Sequence, residues 1–260
     1  MRFLTFSDTH AKVRSEDDPG WNLLMDISFI AEREKVDLIL CGGDLVEPGS
    51  GILDNALHAI SDYRVPVLWV IGNNDLEALE TKELSRYAEI AHQRTRDAGT
   101  HNVHVLDHRP FCWRDEVVFV GNYVGYDGSL YSPGFKDPRR HELMAQLADI
   151  HREAGLDMSP MEVFEMCRGK LEDDLEDLDG SVPCVICTHT VPDSRFLKYG
   201  HSEKYDDYNV AMGWDDGCLV DTPGLRYQFC GHTHRAQQVD RQGAPPIINL
   251  GMNQVRIFEV

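Results

Sequence analysis

The sequence predicts an α/β fold, and three observations carry the prediction. Short apolar runs rich in β-branched and aromatic residues alternate with amphipathic helical stripes in the first part of the chain. The second part is mostly strands. Five strands end in Asp, His or Asn, at the edge where open α/β sheets bind ligands.

The first strand is RFLTF, Arg2 to Phe6. A helical stripe follows at Trp21, Leu24, Ile27, Ile30 and Ala31, and then the strand VDLILC, Val36 to Cys41. A second stripe, Leu53, Ala56, Leu57 and Ile60, leads to the strand VPVLWVI, Val65 to Ile71. These runs are apolar throughout, as strands buried on both faces are. Strand, helix, strand, helix, strand implies parallel pairing. At Gly72 the chain turns, and an Asn or Asp caps the helix that Leu76 and Leu79 begin. A further helix spans Glu83 to Asp97. NVHVL, EVVFVG, VPCVICTH, LRYQFCGH, PIINLG and QVRIFEV then read as strands.

Between Asn122 and Gly180 the character changes. A Gly/Tyr/Pro-rich loop, Tyr123 to Pro138, leads into helices over about Arg140 to Ala154 and Pro160 to Leu178. The second ends in EDDLEDLD, which reads as a solvated face. The expected organisation is one domain over residues 1–260 with a helical insertion at about 122–180.

The chain has 260 residues, 42% hydrophobic and 27% charged, as an ordinary globular protein does. No run approaches the ~20 apolar residues of a membrane helix, and Phe3 to Phe6 is too short for a signal peptide. Seven cysteines without framework spacing suit a reducing compartment, so the expected location is cytoplasmic. Cys184 and Cys187 form a C-x-x-C inside a strand, where they face opposite sides and read as structural thiols. A net charge of -19 disfavours duplex nucleic acid as a partner.

The strand ends carry the chemistry. They deliver Ser7-Asp8-Thr9-His10, Gly42-Gly43-Asp44, Gly72-Asn73-Asn74-Asp75, Thr188-His189-Thr190 and Gly231-His232-Thr233-His234. Asp8 and His10 are two apart in extended chain and are expected to point the same way, as are His232 and His234. Carboxylates, imidazoles and an amide oxygen suit divalent Mn, Fe, Ni or Zn. The absence of cysteine ligands argues against a closed structural zinc site. Seven candidate ligands exceed the needs of one ion and imply two, sharing a carboxylate about 3.5–4 Å from each other's centres.

Together these blocks resemble the calcineurin-like metallophosphoesterases, whose motifs are D-x-H, G-D, G-N-H-[DE], a histidine often followed by x-Pro, and G-H-x-H. The resemblance spans most of the chain, though 122–180 matches no motif. It implies two packed mixed β-sheets flanked by helices. It implies further that Asp8, His10 and His234 hold one ion, that Asp44 bridges, and that Asn73, His189 and His232 complete the second. A hydroxide between the ions would then attack phosphorus.

The chain departs from the family at Asn74, where a histidine usually protonates the leaving group with Asp75 orienting it. Asparagine cannot serve as a general acid. The expected activity is therefore a phosphodiesterase acting on a small or flexible phosphate ester, with Asn74 and Asp75 in the site. His201, with Lys198 and Tyr199 on the same loop, is a candidate replacement acid. The alternatives are a phosphomonoesterase or protein phosphatase with an acid from elsewhere, and a non-catalytic scaffold. His58, His92, His101, His104, His108, His141 and His151 read as surface or structural.

Overall fold

The computed structural model describes residues 1–62, 64–131, 138–200, 206–215 and 219–260. β1 (Arg2–Phe6), β2 (Leu38–Cys41), β3 (Val67–Trp69) and β4 (Val103–Val105) pair in parallel, and β11 (Arg256–Glu259) closes the far edge antiparallel to β1. The second sheet runs β5 (Phe111–Trp113), β6 (Val117–Asn122), β7 (Cys184–Thr188), β8 (Leu225–Cys230), β10 (Ala244–Asn249), β9 (Gln237–Arg241). Its centre is parallel, and β5 and β9 are antiparallel edges.

Strand alternation explains the apolar runs. Phe3, Leu38, Leu40, Leu68 and Val70 point between the sheets, against Phe119, Val185, Cys187 and Phe229. Leu4, Ile39, Cys41, Val67 and Trp69 point the other way, against helices α1 (Pro19–Glu34), α2 (Leu53–Ser61) and α4 (Tyr87–Asp97). The outer face of the second sheet is covered by α6 (Pro160–Glu176) through Phe164, Leu171 and Leu175. The layers are helices, sheet, sheet, helices. Cys184 and Cys187 fall in different core clusters, on opposite faces of β7. Burial pushes the Cys184 thiol up to about 12, and the six described cysteines are unpaired.

Some boundaries differ from the sequence reading. Val65 and Ile71 lie outside β3; at its C-terminal end the backbone N–H of Ile71 leaves the sheet for the Asp107 carboxylate (2.9 Å). The stretch from Glu83 begins as a 3-10 turn, Leu84–Arg86, before α4. A short helix, α3 (Asn73–Ala78), follows the Gly72 turn. α5 (Pro138–Glu153) and α6 lie between β6 and β7. In the acidic run Leu175 is buried, as is Leu171 just before it, while Glu172 and Asp174 pair with Arg168 and Lys170. Among the described residues no helix is long and apolar enough to cross a membrane.

Candidate metal centre

The C-terminal ends of β1, β2, β3, β7 and β8 bring the five blocks together. Oxygen and nitrogen atoms of Asp8, His10, Asp44 and His234 lie within 4.8 Å of one another, and so do those of Asp44, His189 and His232. Asp44 belongs to both groups. Asn73 joins the second, its Oδ1 3.1 Å from His189 Nε2. The structure thus places all seven sequence-predicted ligands at one centre.

The route by which they converge differs from the expectation. Asp8, His10, Asp44, His232 and His234 have φ of 55°, 48°, 54°, 68° and 58°. They are in the left-handed region, not in extended chain. Non-glycine residues rarely sit there, and such strain persists where surrounding contacts over-determine it. Here those contacts are backbone bonds between neighbouring strand ends. Asp8 N–H donates to Gly43 O (2.9 Å), and His10 N–H donates to Asp44 O (3.0 Å). Each motif glycine permits a close approach. A Cβ on Gly72 would collide with Asp44 Oδ1 and its backbone nitrogen, and one on Gly231 would stand 2.7 Å from Asp8 Oδ2.

Backbone acceptors and one carboxylate fix the imidazoles. His189 Nδ1–H donates to Gly42 O (2.8 Å), which leaves Nε2 facing Asp44. His232 Nε2–H donates to Ala211 O (3.1 Å), which leaves Nδ1 as its lone-pair donor. His10 Nδ1 lies 3.0 Å from Glu47 Oε2, which leaves Nε2 toward Asp8 and Asp44. Outer contacts of this kind set the tautomer and basicity of a metal-binding histidine.

The donor set fits divalent cations. His10 Nε2 and His234 Nε2 are 2.9 Å apart, close to the roughly 3.0–3.4 Å between donors around one ion with ~2.1 Å bonds. Asp8 and Asp44 are buried together, and buried carboxylates demand a counter-charge. That demand shows in His189. Burial alone would lower its pKa, yet Asp44 and Asp8 raise it to about 10. Burial, with the charge of His189, holds His232 down at about 4, so a neutral imidazole remains. A cation bound among them would take the place of the His189 proton as counter-charge to the carboxylates, freeing Nε2 to ligate, and would meet His232 already neutral.

A profile of the calcineurin-like phosphoesterase family matches residues 1–236. The chain belongs to that family. Calcineurin-like phosphoesterases use divalent metal ions, and the two ligand groups of this one are where such ions would be held. A phosphopantetheinyl hydrolase from Mycobacterium tuberculosis is 15% identical, with 96% of this chain and 89% of that one covered at a TM-score of 0.67. The protein TT1561 of Thermus thermophilus is 13% identical over 99% and 98%, at 0.54. A dimetal phosphatase from Danio rerio is 13% identical over 97% and 88%, at 0.53. At these identities the likeness is one of fold. No curated protein matches the chain by sequence.

The centre opens into a cavity of about 560 Å³, lined also by Thr9, Lys12, Glu47, Asn74 and Met212. Asn74 is knitted into the ligands. Its amide lies 2.8 Å from His10 Nδ1, accepts from Asn73 Nδ2 at 2.7 Å, and its backbone N–H donates to Asp44 Oδ1 at 2.9 Å. Asp75 is fully buried. Its carboxylate accepts from Leu45 N (2.8 Å), Val46 N (3.3 Å), Trp69 Nε1 (3.1 Å) and Gly72 N (3.1 Å). It ties the end of β3 to the loop that carries Asp44. His201 lies outside the described residues. Lys198 and Tyr199 do not line the cavity, and the Tyr199 hydroxyl donates to Leu130 O (2.7 Å).

Three supporting residues escaped the sequence reading. Glu47 stands three positions after Asp44, in the same run. Asp107 follows β4 as the other carboxylates follow their strands, and it accepts from Ile71 N, Tyr87 Oη and Tyr123 N at 2.7–2.9 Å. Asn249, at the end of β10, donates to Gly231 O and to Thr233 Oγ1 (3.0 Å) and so holds the G-H-T-H loop. Asp107 and Asn249 were visible as polar residues at or just after a strand end, and Glu47 as a carboxylate in the run that follows Asp44.

Proposed function

We propose that the chain is a dinuclear-metal phosphodiesterase acting on a small or flexible phosphate ester. The observation that carries this reading is Asn74, which stands against His10 and Asn73 at the cavity and cannot give a proton to a departing alkoxide. When bound, two divalent ions of the Mn, Fe, Ni or Zn class supply Lewis acidity at phosphorus and acidify a water for attack. Asp44, common to both ligand groups, would be the residue the two ions share. Glu47, Gly42 O and Ala211 O keep three imidazoles presenting a lone pair. Among the described residues Lys12 is the one lysine or arginine lining the cavity, and it draws the phosphate anion inward. The charge of -19 supports a small substrate over duplex nucleic acid, and unpaired cysteines support a reducing, cytoplasmic location.

Lys12 also favours a second reading, a phosphomonoesterase, because a monoester dianion gains more than a diester from a nearby cation. Hydrolysis of bis(p-nitrophenyl) phosphate and p-nitrophenyl phosphate, with Mn²⁺ added, separates the two. The diester should be the better substrate by at least tenfold in kcat/KM. Preference for the monoester would select the second reading. Metal bound without hydrolysis of either would indicate a scaffold.

A further inference from the structure

A second cavity, of about 670 Å³, meets the first at Asn73. Its walls come from α3, from the loop after β6 and from α5 and α6. Apolar carbon dominates them: Leu76, Leu84, Tyr123, Tyr126, Leu156 and Val163. The volume lies within the ~300–1,000 Å³ of small-molecule pockets. At the rim, Glu77 and Glu80 are exposed, while Lys82 donates its ammonium to Ala154 O (2.6 Å). Two carboxylates against one ammonium leave the rim net negative.

The wall nearest the metal centre is held in shape. Tyr123 stacks on His189 with ring centroids 6.3 Å apart and planes at 26°. Val124 follows at φ 64°, a conformation that β-branched residues rarely adopt. Thr190 Oγ1 reaches the carbonyls on either side, Tyr123 O (3.2 Å) and Gly125 O (2.8 Å), and Val124 N–H donates to Asn122 Oδ1 (2.9 Å). A strained loop locked beside a candidate ligand is the form a preorganised binding wall takes.

We propose that this cavity receives one ester arm of the substrate, and that the arm is uncharged and largely apolar. A phosphoryl group at the metal centre would project an arm past Asn73 into it. Apolar walls would hold an alkyl or aryl chain, and the carboxylates at the rim would turn away a nucleotide or another polyanion. The helices at 138–176 would thereby set the substrate class. This assignment rests on the phosphoesterase reading for the position of the phosphoryl group.

Binding tests it without turnover. Methylphosphonate and octylphosphonate are titrated calorimetrically into Mn²⁺-loaded protein, wild type and Ala154→Trp. Ala154 is exposed on the rim, so a tryptophan there fills the mouth without disturbing the core. Wild type should bind the octyl compound at least tenfold more tightly, a factor that burial of about two methylenes supplies. In Ala154→Trp the two affinities should converge. Equal affinities in wild type, or an octyl preference that survives Ala154→Trp, would overturn the assignment. Octyl preference in a protein that hydrolyses no diester would sink the phosphodiesterase reading and leave the cavity assigned. Diester hydrolysis with equal phosphonate affinities would do the reverse.

Discussion

The Asp8 carboxylate accepts the backbone N–H of His232, with its oxygens at 3.0 and 3.2 Å, across 224 residues of sequence. The first and last motifs are thereby one unit, and Gly231 is what lets them meet. Gly231→Ala would drive a Cβ into Ser7 Oγ and to within 2.7 Å of Asp8 Oδ2. It should weaken metal binding at least tenfold, read by titration against a chelator. Gly169→Ala, in α6 with open space around it, is the control. It should bind metal normally and gain roughly 0.5–1 kcal/mol of stability, as an alanine in a helix does over glycine.

Asp75 is expected to act through structure. Removing its carboxylate in Asp75→Ala strands four buried or half-buried donors, among them Trp69 Nε1 and Gly72 N. The cost should be about 3–5 kcal/mol in urea unfolding of the metal-free protein. Unchanged stability with lost turnover would return Asp75 to the catalytic role that the sequence suggested.

The sheets and the ligands were legible because their signals are local. RFLTF reads as β1 without correction, since Phe3 packs on one core and Leu4 and Phe6 on the other. The five strand-end blocks could be read from order alone. What could not be read is how the ligands meet. Alternation along a strand suggested that Asp8 and His10 share a face, whereas bonds to Gly43 O and Asp44 O, from a different strand, hold both in left-handed turns. The role of Asp75 was hidden for the same reason, because three of its four donors come from other segments. No local pattern reports that Tyr123 would stack on His189 or that Asn73 would border two cavities.

Asn74 braces two ligands, so Asn74→Ala should lower metal affinity by about 10–100-fold, the usual cost of losing an outer contact. Its chemistry is tested separately by leaving group. Wild type should cleave aryl diesters well and alkyl esters poorly, because a positioned acid typically contributes ~10²–10⁴-fold. Asn74→His should raise rates on substrates with basic leaving groups and do little for activated ones. A wild-type rate insensitive to leaving-group pKa would mean that another residue gives the proton.

Asp18 caps α1 and makes acid stability depend on one carboxylate. Burial acts to raise its pKa, but N–H donors from Trp21, Lys12, Val13 and Gly20 prevail and hold it below the usual 3.8. A carboxylate lowered on folding stabilises the protein above its unfolded pKa of about 4, and that contribution is lost as pH falls through the folded value. Asp18→Ala should cost about 0.5–2 kcal/mol at pH 7, and the deficit should shrink toward pH 3 in unfolding experiments. A deficit constant across that range would contradict the assignment.

The central claim is that Asp44 holds two ions in common. Metal content per chain, measured by mass spectrometry after equilibration with Mn²⁺ and gel filtration, tests it most directly. Wild type should carry about two ions, His189→Ala about one, and Asp44→Ala close to none. An Asp44→Ala protein that still carries two ions, or a wild type that saturates at one, would contradict the claim.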